Sequence, residues 1–124
     1  MNRVLIVPAP VGTFAKQLDE DLRGAEYETL EVENCEEAWR TIERDVGNFR
    51  IVVVCDMWGH VEHSASWLAD VLARQLPDLP IVIITDDAPT AIIYREAEQT
   101  GAFMIGKEKL NSETVVAIVE DLVL

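Results

Sequence analysis

The chain has 124 residues, 49% of them hydrophobic, and its 10 basic against 23 acidic side chains give a net charge of −13. That length and apolar fraction suit one domain over residues 1–124 with its own core, neither disordered nor dependent on disulfides. The charge repels phosphate backbones and anionic lipid heads, so direct binding to nucleic acid or to a membrane surface is not expected.

Met1-Asn2-Arg3 leads straight into the apolar run Val4-Leu5-Ile6-Val7, which is too short for a signal-peptide core. No later run approaches the roughly 18 residues of a membrane span, so a soluble, cytoplasmic protein is expected. After this first strand, Phe14, Leu18 and Leu22 recur at helical spacing, with Gly24 where the helix should stop. Residues 27–32 read as a weaker strand, Leu30 and Val32 on one face and Glu31 and Glu33 on the other, acidic enough for a sheet edge. Asn34 with Glu37 resembles a capping box, and Trp39, Ile42 and Val46 continue one helical face to Gly47. Residues 51–55 and 81–84 are nearly all apolar, as central strands covered on both faces must be. Between them Leu68, Val71, Leu72 and Leu76 form a helical stripe stopped by Pro77 and Pro80. Thr90 or Asp87 can cap the next helix, Ile93 and Ala97 facing inward and Gly101 ending it, before a last strand over residues 103–105. Asn111 or Ser112 opens a final helix whose inward stripe is Val115, Ile118, Val119 and Leu122.

Five such strand-helix rounds point first to an α/β architecture, a flavodoxin-like doubly wound five-stranded parallel sheet of strand order 2-1-3-4-5, although the pattern alone also admits other (βα) orders. Sites in such sheets lie beyond the carboxyl ends of the strands. Three runs finish there on polar residues: the third at Asp56, the fourth at Thr85, and the fifth at Lys107. The first run is followed instead by Pro8-Ala9-Pro10.

This constellation resembles the receiver domain of two-component response regulators, over the whole chain. The resemblance implies that Asp56 stands at the phosphoacceptor position, Thr85 at the phosphoryl hydrogen-bonding position and Lys107 at the position that pairs with its charge. Gly101-Ala102 also looks like the family's turn into the fifth strand. The family's acidic pair after the first strand, which holds Mg²⁺ together with the phosphoacceptor, falls at Pro8 and Ala9, so these are degenerate metal positions. Asp86 follows Thr85 where receivers commonly have a small residue, and Glu108 follows Lys107 where they commonly have proline. The aromatic that switches rotamer in the family has no secure counterpart, since Phe103 is the only aromatic in that strand and Met104 takes the expected spacing. With the carboxylate cluster gone, Lys107 is free to pair with Asp56 directly.

The expectation is a degenerate, pseudo-receiver type of domain, not an enzyme and without a cofactor, working as a protein-interaction or dimerisation module in signal transduction or transcription regulation. A histidine kinase or an output domain are possible protein partners. An alternative keeps Asp56 as a working phosphoacceptor, with Mg²⁺ held through Asp86, Asp87 or water. A second alternative is a metal or small-ligand sensor built on His60 and His63, with Cys55, Asp56 or Glu62 as further ligands. Trp58 reads as a lid over the site, and Cys35 and Cys55 as reduced thiols, Cys55 buried. Ile92 or Tyr94 on the fourth helix, with Val116 and Val123 on the fifth, are candidates for an exposed apolar patch and a two-fold homodimer.

Overall fold

In a computed structural model of the chain, residues 3–7, 14–55, 64–85, 91–106 and 112–123 are described. Among the described residues strands and helices alternate: β1 (Arg3–Val7), α1 (Phe14–Gly24), β2 (Glu28–Glu31), α2 (Cys35–Arg44), β3 (Ile51–Cys55), α3 (Ala65–Gln75), β4 (Ile81–Thr85), α4 (Ala91–Thr100), β5 (Phe103–Gly106) and α5 (Ser112–Val123). Every strand pairing is parallel and the sheet runs β2-β1-β3-β4-β5, the order expected from the sequence.

The period of two along each strand divides the core between the two faces of the sheet. Leu5, Val7, Val52, Val54, Ile83 and Met104 pack with buried residues of α2, α3 and α4, whereas Val4, Ile6, Val53, Ile84 and Ile105 pack with Leu18 and Leu22 of α1 and Val115 and Val119 of α5. All five residues of β3 are buried, as its unbroken apolar sequence requires of a central strand. β2 lies at an edge with three of its four residues exposed, and its regular pairing covers Glu28–Glu31, shorter than residues 27–32.

Local signals set several helix ends. The Asn34 side chain accepts a hydrogen bond from the Glu37 backbone N–H at 2.8 Å, which satisfies one of the donors a helix start leaves open. α3 stops at Gln75, two residues before Pro77. Gly101 ends α4 at φ +78°, a left-handed conformation that costs a Cβ-bearing residue more.

α1 ends at Gly24 as expected, and the left-handed residue of the following turn is Glu26, at φ 70°. Three sequence expectations need correction. Val46 does not continue the buried face of α2, because that helix ends at Arg44 and Val46 stands 64% exposed in the following turn. Leu122 is 38% exposed, although its place on the helix groups it with the fully buried Val115 and Val119. Val116 and Val123 do not occupy a separate side of α5; both are half-buried against the cluster shared with α1, at the margin of one broad apolar stripe.

Candidate functional site

Strand register decides which chain exits come together. Val7 pairs with Val54, Val54 with Ile83, and Ile83 with Met104, so these four residues form one row across the sheet. One residue further, Cys55, Ile84 and Ile105 form the next row, and Thr85 then pairs with Gly106. β1, β3, β4 and β5 thus end at nearly one level, with neighbouring strands about 4.8 Å apart. The sequence continues from Val7 into Pro8-Ala9, from Cys55 into Asp56 and from Gly106 into Lys107, while Thr85 is itself the last residue of β4. The topology therefore brings the carboxyl ends of β1, β3, β4 and β5 to one edge of the sheet. The switch point falls between β1 and β3, because the connections from these two strands lead toward opposite ends of the sheet. Pro8 and Asp56 are the first residues beyond those two strands.

Asp56, Lys107, Pro8, Ala9, Trp58, His60, His63, Asp86 and Glu108 lie outside the described residues, as does the side chain of Thr85. The side chains of Ile92 and Tyr94, in the first turn of α4, are likewise outside them. Just below the strand exits, Cys55 is 4% exposed and belongs to the α1/α5 side of the core, while Cys35, at 1%, belongs to the other side. Both are thiols, and the sheet stands between them. Among the described residues no group of three or more His, Cys, Asp or Glu side chains is placed to hold a metal ion. The only resolved pKa shift among them is remote from this edge: burial pushes the Tyr27 phenol up, and the Glu120 carboxylate adds to it.

One feature at the opposite end of the sheet was not anticipated from the sequence. The turn of residues 46–50, the segment 76–80 and the end of α5 enclose a groove of about 580 Å³. Its three segments are remote in sequence, so no motif announces it, although the apolar Leu122 near the end of α5 was a partial signal.

No protein-family model and no curated protein matches the chain. Solved structures do. An orphan response regulator of H. pylori, HP1043, superposes with a TM-score of 0.82 at 18% identity, covering 99% of this chain and 97% of that one. The fold is that of a response regulator receiver domain. A putative response regulator from Chloroflexus aurantiacus is 25% identical with a TM-score of 0.78, covering 98% and 97% of the two chains. A streptococcal structure, described as one of a family of redox sensors evolved from two-component response regulators, has a TM-score of 0.81 at 18% identity. This receiver-like chain is 99% covered by that match yet spans only 51% of the streptococcal chain.

Proposed function

We propose that this receiver domain acts without phosphorylation, as a protein-interaction and dimerisation module in signal transduction or transcription regulation. One observation carries the reading. β1 and β3 run in register to Val7 and Val54, so the positions two residues further on are Ala9 and Asp56. A receiver that holds Mg²⁺ needs carboxylates from both strands at this level. Here the residues after β1 are proline, alanine and proline, whose side chains carry no oxygen.

Mg²⁺ requires octahedral oxygen coordination and relies on one or two protein carboxylates at a phosphoryl site. Asp56 is the one carboxylate among the residues that directly follow the two switch-point strands, and Pro8-Ala9-Pro10 supply none from the β1 side, so the residues present do not fit an ion held between both strands. Without a cation to spread the charge of the transferring phosphoryl group, transfer to Asp56 loses a stabilisation of several kcal/mol. Lys107 is then available to pair with Asp56 and to hold the domain in one state.

The module's partners are proteins, a histidine kinase or output domain being candidates, together with a second copy of itself. No helix among the described residues is long and apolar enough to cross a membrane, and the charge of −13 disfavours nucleic acid. Incubation with acetyl phosphate and Mg²⁺, followed by intact-mass spectrometry, tests the reading. No mass gain is expected. Addition of one phosphoryl group, lost in Asp56→Asn, establishes instead a working phosphoacceptor.

A further inference from the structure

The groove at the amino ends of the strands lies at the other pole from the carboxyl ends of β1, β3, β4 and β5. Phe49 is buried beside it, while Val46 and Leu122 line it at 64% and 38% exposure. These two are half of the exposed large hydrophobic residues among the described part of the chain, the others being Leu30 and Phe103. Leu122 is the more informative. At about 100° per residue it lies only about 20° around α5 from Val115 and about 60° from Val119. Both of those are fully buried, so Leu122 is directed toward the core side. It remains uncovered because it stands where the sheet has run out, beside the turns that precede β3 and β4.

The charge around the groove is as informative as its apolar lining. On a chain of net charge −13, the ionisable residues lining it are Arg50 and Asp78, one of each sign. Both are exposed, and neither makes an ion pair among the described residues. They belong to adjacent turns, because the Val52 N–H donates to the Pro80 carbonyl at 3.0 Å where β3 and β4 begin. Two other faces are less suited to self-association: the exposed β2 edge carries Glu28 and Glu31, and α2 presents the exposed Glu43 near its end. A basic partner is drawn to those acidic surfaces. A second, equally acidic copy is tolerated only where the charges cancel.

We propose that a second copy of the chain docks in this groove about a two-fold axis, each copy laying Val46 and Leu122 over the other's groove and setting Arg50 opposite the other's Asp78. A two-fold interface must be self-complementary, and an apolar trough with one positive and one negative rim residue meets that condition. The proposal rests on reading the chain as a dimerising module. Of the sequence candidates Ile92, Tyr94, Val116 and Val123 it keeps only Val123, which lines the groove, and adds Leu122.

Sedimentation equilibrium of the whole chain at tens of micromolar tests it, with circular dichroism to show that each variant is folded. A dimer is expected. Val46→Glu, at an exposed turn position, weakens it on the order of 100-fold, because the two-fold axis places a carboxylate in the apolar contact twice. Arg50→Asp weakens it about tenfold, and the pair Arg50→Asp with Asp78→Arg restores the original affinity. A monomer overturns the proposal, and so does a dimer indifferent to Val46→Glu and to charge reversal. A dimer disrupted by Val116→Glu alone also overturns it and moves the interface to the α4–α5 face. Repeating the series with acetyl phosphate separates the two readings. A dimer formed only after phosphorylation, yet following the charge swap, supports the groove and defeats the phosphorylation-independent function.

Discussion

Leu5 and Leu30 are paired positions in neighbouring strands, and they separate the effect of burial from that of residue type. Leu5 in β1 sits opposite Leu30 in β2, but Leu5 is 0% exposed and Leu30 is 37% exposed. Leu5→Ala deletes three carbons from a site enclosed by β2, β3 and the helices on that face. Substitutions of this kind cost about 2–5 kcal/mol, and a two-sided central strand relaxes little around the void, so about 3–4 kcal/mol is expected. At about 4 °C per kcal/mol for a domain of this size, the thermal midpoint falls by about 12 °C or more. For Leu30→Ala, incomplete burial and room for water at the edge limit the loss to about 1 kcal/mol. Urea unfolding followed by circular dichroism measures both, provided that the denaturant slopes agree. Equal losses at the two positions, or a Leu5→Ala loss under about 1.5 kcal/mol, would refute the assignment of β2 to the edge and of β1 to the covered interior.

Mg²⁺ at millimolar concentration is expected to leave the thermal midpoint unchanged, since an ion without a native site cannot shift unfolding by mass action. A saturable rise lost in Asp56→Asn would contradict the degenerate-site reading; Zn²⁺, with His60→Ala as control, tests the histidine loop in the same assay. Cys35 and Cys55, buried on opposite faces of the sheet, should resist a thiol reagent in the native protein and react fully in urea. Rapid native labelling, or oxidation to an internal disulfide without unfolding, would contradict their placement. At the end of α1, Gly24→Ala meets no atom within 4 Å and should stabilise by about 0.5–1 kcal/mol through helix propensity. Glu26→Gly relieves a left-handed residue but loosens the unfolded chain, so a change within about 1 kcal/mol, stabilising in sign, is expected. A loss of stability in thermal melts would show that the Glu26 side chain matters more than its φ.

Element type and order were determined by the sequence alone, because they follow from local chemistry. The unbroken apolar run of β3 can be covered only on both faces, and Asn34 needs no more than the N–H three residues on to cap α2. That the runs of β3, β4 and β5 lead into Asp56, Thr85 and Lys107 is legible in the same local way, and the parallel sheet brings the ends of those strands to one edge, while the placement of the three side chains lies outside the described residues. Periodicity also set the direction of Leu122 correctly, but direction is not burial. Whether anything lies beneath a side chain depends on where the sheet ends relative to the helix, which is decided by packing. The same reason separates Val46 from α2, puts Val116 and Val123 at the margin of one stripe, and assigns the two cysteines to opposite faces. The groove was beyond sequence reading altogether, since it is made by turns before β3 and β4 and the end of α5. These segments are distant along the chain and meet only because parallel crossovers return each strand to the same pole.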